Sequence, residues 1–341
     1  MNPSRSHFLI ALLLASLPAG AVADVDSAAA PATPSSVPVT PPPPLPTSPP
    51  LLPIDGSAGE VLIEAPEPRY VAPTLRDRIG RIWAPVFING QGPFRLVLDT
   101  GSNRSVVNAS VAAALGIELT TEGQVLMRGV TGARTVPTIH VDSFVIGDLE
   151  LRSQRLPIVL DALGGAEGVL GGNGLRDKRI FIDFRNDRIT ILRSRAERAP
   201  RGFRTIPVKM EKGLLIAEVQ AGNIQARAII DTGAQSTIAN MAFRRAMQRR
   251  VRRDEIRTNE ITGTTLDVQT GDLVPSPPIA FGPLQIRRAY ITTGDMHIFE
   301  HWKMTSDPVL LLGMDILGQF DTLIIDYKRR ELQVRMRKST G

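Results

Sequence analysis

The tripeptide Asp-Thr-Gly occurs twice, at Asp99-Thr100-Gly101 and Asp231-Thr232-Gly233, and each copy closes an apolar run, Leu96-Val97-Leu98 and Ala228-Ile229-Ile230. An apolar run of this length reads as a buried strand, and Asp followed by Gly reads as the tight turn that ends it. The likeness extends past the turn. Ser102, Asn103, Arg104, Ser105 and Val106-Val107 follow the first copy and lead to an Ala-rich helical stretch, Ser110 to Leu115, closed by Gly116. Ala234, Gln235, Ser236, Thr237 and Ile238 follow the second and lead to a longer helical stretch from Asn240.

A second pairing lies further on. Gly168-Val169-Leu170-Gly171-Gly172-Asn173 matches Val309-Leu310-Leu311-Leu312-Gly313-Met314-Asp315, 72 residues after one Asp and 82 after the other, counted to the glycines at 171 and 313. Strands with an internal acid follow, Phe181-Ile182-Asp183-Phe184 and Ile324-Ile325-Asp326-Tyr327, then Arg188-Ile189-Thr190-Ile191 and Glu331-Leu332-Gln333-Val334. The order is the same and loops absorb the difference, so the chain holds an internal duplication of a unit of roughly 120 residues.

A strand that stops at a carboxylate places it at the floor of a cleft. Two such carboxylates facing each other cannot both ionise cheaply, so they share a proton and can activate a water. At this point the residues resemble the aspartic peptidases, the group of pepsin-like and retroviral-type enzymes, over nearly everything from about Gly80 to Arg337. The resemblance implies an all-β fold of two homologous retropepsin-like β-barrel lobes, a pepsin-like bilobal acid protease architecture with short helices. It implies Asp99 and Asp231 as the catalytic pair, with Thr100 and Thr232 bonding across the lobe junction. Gly101, Ser102, Gly233 and Ala234 complete the active-site loops, and Val169-Leu170-Gly171 and Leu311-Leu312-Gly313 brace them. The activity implied is that of an aspartic endopeptidase acting on peptide or unfolded protein, with no covalent intermediate, no cofactor and no metal, and with an acidic lean.

The hairpin through Gln124 to Met127, turning at Gly129-Val130-Thr131-Gly132 and returning through Thr135 to Val141, is by resemblance a flap over substrate. Glycines there permit unusual backbone angles and motion. Thr262 and Gly263, within Ile261-Thr262-Gly263-Thr264, sit at the matching place and suggest a second flap. No tyrosine lies between Glu122 and Val141, a departure from pepsin that brings the chain closer to a fused pair of retroviral-type units. After the glycines the loops differ, Ser102 against Ala234. A hydroxyl donating to Asp99 would stabilise its charge, which places the shared proton on Asp231.

Residues 1–23 read as a secretory signal: Arg5, then an apolar run from Phe8 to Leu17, then Ala21-Val22-Ala23. The run is too short to span a bilayer, although an uncleaved anchor is the alternative. Residues 24–78 form a proline-rich spacer or pro-segment, uncharged from Ser27 to Ile54 and unable to bury enough to order itself. The lobes are then expected at 79–199 and 200–341. There is no cysteine, so an exported chain would rely on its apolar cores alone. These features point to a periplasmic or secreted protein with no integral membrane segment after signal removal. One chain supplies both carboxylates, so a monomer is expected.

Asn240 to Arg257 reads as a helix capped by Asn240, with Phe243, Met247 and Val251 on one face and Arg244, Arg245, Arg249, Arg250, Arg252 and Arg253 on the rest. With a net charge of +6, this could be a patch for anionic polymer or lipid, or simply a solvated face. No aromatic residues interleave, which argues against nucleic acid. His297 and His301 would suit a metal on a helix, but no third ligand is evident. Two rivals to a peptidase remain: a peptide-binding protein of the same fold with weak catalysis, and a basic envelope-surface protein with a vestigial cleft.

Overall fold

Trp83–Ile88 alternates buried and outward side chains, and Gln91–Leu98 becomes fully buried over its last three residues. They are joined by Asn89 and Gly90 alone, both with positive φ, 50° and 73°. That is the two-residue turn whose twist suits paired strands. The Asn89 side-chain oxygen accepts the N–H groups of Asp142 and Ser143 at 2.8 and 3.1 Å, tying the turn to a neighbouring strand.

The computed structural model describes residues 82–337 except 120–122, 148, 160–164, 174, 187 and 248–255, with short strands upstream at Phe8–Leu9, Leu13–Leu14 and Leu62–Glu64. Apart from those strands, the expected leader and proline-rich segment lie outside the described residues. Strands dominate, and the described helices are no longer than seven residues.

In the first half six strands close a barrel: Trp83–Ile88, Gln91–Leu98, Val106–Asn108, Thr138–Ile146, Leu149–Val159 and Gly168–Leu170. Gly168–Leu170 runs parallel to Gln91–Leu98, with Leu170 beside Leu98, so the glycine motif arrives directly behind the first Asp. The second half repeats the order with Leu214–Ala221, Ile224–Ile230, Ile238–Ala239 and Val309–Leu312, and Leu312 stands beside Ile230. Its ring stays open. Where the first half has the unbroken hairpin Thr138–Ile146 and Leu149–Val159, the second has Val268–Pro275 and Ile279–Phe281, then Leu284–Ile286 and Tyr290–Thr293. Pro277 and Pro278 sit at the first break, where neither brings an N–H to a ladder.

The halves share one sheet. Its order is Arg204–Pro207, Glu331–Met336, Phe320–Asp326, Lys178–Asp183, Arg188–Arg193, with Leu62–Glu64 at the edge. Lys178–Asp183, from the first half, pairs antiparallel with Phe320–Asp326 from the second. Ile180, Ile182, Ile189, Ile191, Leu323, Ile325, Leu332 and Val334 bury one face in a core that draws on both halves.

A short helix follows each Asp loop. Ala109–Ala114 is capped by Asn108, whose side chain accepts Val111 N–H. Met241–Met247 is capped by Asn240, which accepts Phe243 N–H at 2.9 Å and donates to the Met304 and Asp307 carbonyls. Phe243 and Met247 are buried as expected, but Arg257 opens the strand Arg257–Gly263 rather than closing a helix. Among the described residues no helix is long and apolar enough to cross a membrane.

In the shared sheet, Asp326 is fully buried and takes Arg179 Nη1 at 3.0 Å, the Ser194 hydroxyl at 2.8 Å and Arg329 N–H at 3.0 Å. Removing one partner of a buried ion pair strands the other charge. Asp326→Ala should therefore cost about 3–5 kcal/mol in urea unfolding; a loss below about 1 kcal/mol would mean that water already solvates Arg179.

Candidate active site

Asp99 and Asp231 leave their strands at equivalent points. Asp99 N–H donates to the Leu170 carbonyl at 2.9 Å and Asp231 N–H to the Leu312 carbonyl at 3.1 Å. Each carboxylate then turns back on its own loop. Asp99 Oδ1 accepts Gly101 N–H and Ser102 N–H at 2.8 and 2.9 Å, and Asp231 Oδ1 accepts Gly233 N–H and Ala234 N–H at 2.9 and 3.1 Å. The two loops meet closely enough that a Cβ on Gly101 would overlap the Asp231 carboxylate, and one on Gly233 the Asp99 carboxylate. The glycines are there for room.

Thr100 and Thr232 lock this meeting. The Thr100 hydroxyl donates to the Ile230 carbonyl at 2.7 Å and accepts Thr232 N–H at 3.1 Å. The Thr232 hydroxyl donates to the Leu98 carbonyl at 2.8 Å and accepts Thr100 N–H at 3.2 Å. Each threonine thus bonds the strand end of the opposite half, with all four bonds buried.

Both carboxylates are fully buried, and their Oδ2 atoms have no hydrogen-bond donor outside the pair itself. Two ionised oxygens so placed would repel; one proton between them satisfies both. Burial and then the Asp231 charge hold Asp99 well above the usual carboxylate range. Burial raises Asp231 to about 7, against the pull of a hydrogen bond from Asp99 and of the loop N–H groups. Both carboxylates are thus held above the usual range, and one proton is shared by the pair. The Ser102 hydroxyl, expected to support Asp99, donates to the Arg104 carbonyl at 2.7 Å, while the Ser102 backbone N–H donates to Asp99 Oδ1. Beneath the pair, Tyr327 is buried, and burial followed by the Asp99 charge raises its phenol.

The second glycines brace the loops by close passage. A Cβ on Gly171 would strike the backbone of Arg104, and one on Gly313 the backbone of Ser236. Around them lies a pair of relays that the motif reading passed over. Ser105 donates through N–H and hydroxyl to Asn173 Oδ1, both at 2.9 Å, and its oxygen accepts Gly171 N–H at 3.1 Å. Thr237 donates likewise to Asp315 at 2.9 and 2.7 Å and accepts Gly313 N–H at 3.1 Å. The signal was present in the spacing: each hydroxyl stands six residues after its Asp, and each acceptor two after its glycine.

The flap hairpins are Val125–Arg128 with Ala133–Val136, and Arg257–Gly263 with Val268–Pro275. Their tips interlock. Val130 is fully buried in an otherwise second-half cluster that includes Ile261, Met296, Ile298 and Ala234, and its carbonyl accepts Ile298 N–H at 3.2 Å. Gly263 N–H donates to the Thr131 hydroxyl at 3.1 Å. Gly129 faces Thr264 and Thr265, and Gly132 lies against the Asp267 carboxylate. None of Gly129, Gly132 and Gly263 has positive φ, so they serve close approach between the tips rather than unusual angles. The second tip spans Gly263 to Asp267, which leaves Thr262 within its strand and brings Thr264 and Thr265 to the seam. His297 and His301 do lie on a short helix, His297–His301, yet among the described residues no group of three metal-ligating side chains forms.

Residues 84–173, which carry the first barrel, Asp99 and Gly171, match the family model described as aspartyl protease. The likeness to pepsin- and retropepsin-like aspartic peptidases is thereby borne out over that stretch. No curated protein matches the chain. Similar solved structures include an aspartic proteinase from Irpex lacteus, at 12% identity and TM-score 0.46, covering 78% of this chain and 96% of that one. Another is conglutin gamma, a basic 7S globulin from lupine seeds, at 9% identity and TM-score 0.40, covering 75% and 91%.

The raised pair makes stability depend on pH with a definite sign. Between the ordinary carboxylate value near 4 and the folded values, the native state holds protons that the unfolded chain has lost, so stability falls as pH rises. Asp231→Asn should therefore stabilise the fold at pH 7 by about 1 kcal/mol or more and leave it unchanged at pH 3. Thermal unfolding at both values checks this; equal effects at the two would show the carboxylates ionising normally.

Proposed function

We propose that this chain is an aspartic-type endopeptidase that hydrolyses peptide bonds with a water held between Asp99 and Asp231. The observation that carries the reading is the pair of fully buried carboxylates that interact with each other from equivalent loops, their Oδ2 atoms without a donor outside the pair. Such a pair is costly to fold unless the chemistry uses it. The ionised member of the pair takes a proton from the water as the water oxygen attacks the peptide carbonyl, and the protonated member gives its proton to the developing oxyanion. Collapse of the tetrahedral adduct returns a proton to the nitrogen and releases amine and acid. The loop N–H groups fix both inner oxygens and keep the outer ones aimed at the water. No cofactor enters this scheme.

The substrate is an extended peptide or unfolded protein, since a folded chain would not pass under two interlocked tips. A monomer suffices, because one chain brings both carboxylates. The leader-like run from Phe8 to Leu17 supports export to the periplasm or beyond.

Asp99→Asn and Asp231→Asn should each lower cleavage of unfolded protein roughly 10²–10⁴-fold or more while the chain stays folded. Retained cleavage in either variant refutes the mechanism, and peptide binding without cleavage by wild type would favour a binding role. The pH profile supplies a separate check. The reacting state holds one proton, so the acid limb of kcat/KM should lie above the ordinary carboxylate range and activity should extend toward neutrality. A limb near pH 4 would mean that water reaches the pair in the working enzyme.

A further inference from the structure

Residues 194–203 join the two halves, leaving the end of the Arg188–Arg193 strand and re-entering the shared sheet at Arg204–Pro207. Three strands lie between those two in the sheet, so the connector crosses four strand spacings, about 19 Å. It does so on the outer face. Ile325 packs in the core, its neighbour Asp326 therefore points the other way, and Asp326 takes the Ser194 hydroxyl at 2.8 Å. Arg179 Nη1 donates to the Glu197 carbonyl at 3.1 Å and Arg329 Nη1 to the Ala196 carbonyl at 3.0 Å. Near the far end the Arg335 guanidinium lies 5.3 Å over the Phe203 ring. Leu98 and Ile230, the residues before the two Asp, belong to the core on the inner face. The connector is thus a pinned strap on the side of the sheet turned away from the carboxylate pair.

Its charge is one-sided. Counting its flanks, residues 193–204 hold five arginines and one glutamate, a net +4 in a chain of +6. Arg195, Arg198, Arg201 and Arg204 recur at every third position and are exposed, whereas Ser194 is buried and Ala196, Ala199 and Phe203 are half-buried. None of these four arginines forms an ion pair among the described residues, while their neighbours Arg193 and Arg335 pair with Asp177 and Asp321. Lys328 and Arg330 are exposed on either side of Arg329, which reaches the strap. Like charges gathered on one face repel, and the fold does not need them there, because the strap is held through Ser194 and its main-chain carbonyls.

We propose that this strap is a docking face for anionic lipid headgroups, which seats the molecule on a bilayer surface with the catalytic pair on the far side of the shared sheet. A row of charges spread over the breadth of a sheet suits a surface of many headgroups. Guanidinium groups bind phosphate oxygens through paired hydrogen bonds, and each one brought to an anionic leaflet strengthens binding about fivefold. The single aromatic ring of the strap, Phe203, lies under Arg335, which leaves no platform on which unpaired nucleic-acid bases would stack. This role does not depend on peptide cleavage by Asp99 and Asp231.

The test is co-sedimentation of the full chain with vesicles of phosphatidylcholine alone and of phosphatidylcholine mixed with phosphatidylglycerol. Wild type is compared with Arg195→Gln/Arg198→Gln/Arg201→Gln/Arg204→Gln and with Arg152→Gln/Arg245→Gln/Arg287→Gln/Arg288→Gln, which removes the same charge from exposed sites elsewhere. Wild type should bind the anionic vesicles roughly tenfold or more tightly than the neutral ones, and the strap variant should lose roughly 10²-fold or more of that binding. The control variant should lose less than about fivefold, and a strap variant carrying lysine at the same four positions should stay within about fivefold of wild type. Equal losses in the strap and control variants overturn the proposal, since net charge alone would then act. Equal binding of wild type to both vesicles overturns it too, by assigning attachment to the apolar run at Phe8 to Leu17. Tighter binding to soluble polyphosphate than to the anionic vesicles would make the partner an anionic polymer instead of a bilayer. Wild type alone supplies a further check: raising salt from about 0.1 M to about 0.5 M should release it from the anionic vesicles, and binding that persists refutes an electrostatic seat.

Discussion

Four hydrogen bonds between Thr100 and Thr232 and the strand ends of the opposite half hold the centre of this molecule together. Without them nothing would oblige two like-charged loops to approach. With them, each loop becomes a continuation of the other half's strand, and the carboxylates one residue upstream are delivered face to face. The hydroxyls work as substitute main chain: each gives one bond and takes one, as a backbone amide would in a sheet. That the bonds are buried makes their loss costly, since the carbonyls and N–H groups they satisfy have no water to turn to.

Around this junction, absence of side chain matters as much as presence. Gly101 and Gly233 leave space for the opposite carboxylate, Gly171 and Gly313 for the loop backbone of their own half, and Gly129, Gly132 and Gly263 for the facing tip. In each case the glycine lets two segments pass where a methyl group would force them apart. The relays Ser105–Asn173 and Thr237–Asp315 then fix how the braces pass, by tying each second glycine to its own loop through a hydroxyl. A buried, proton-sharing pair is the electrostatic result of this tight assembly rather than an added feature.

Much of this was legible in one dimension because duplication repeats its own evidence. The paired Asp-Thr-Gly, the later glycines and the strands after them kept their order and near spacing, and the hairpins at Asn89-Gly90 and Gly222-Asn223 carried their turn residues openly. What escaped depended on atoms brought in from afar. The Ser102 hydroxyl could have faced Asp99, but the Arg104 carbonyl lay closer to hand. The buried Arg179–Asp326 pair joins residues 147 apart in sequence, and no local pattern marks either partner. The open ring of the second half rests on strand breaks, one of them at Pro277 and Pro278, that read beforehand as ordinary loop. The second tip was placed slightly early, because Thr262, still in its strand, and Thr264, beyond the bend, look alike on paper.

The shared sheet, in which the Lys178–Asp183 strand of one half lies against the Phe320–Asp326 strand of the other, has an evolutionary corollary. Once two repeats are welded into a single polypeptide, they are released from the obligation to be identical. A symmetric assembly of separate copies must duplicate every change on both sides of its axis. Here serine can stand opposite alanine, and valine opposite threonine, so each side is free to specialise while the geometry they inherited stays in common.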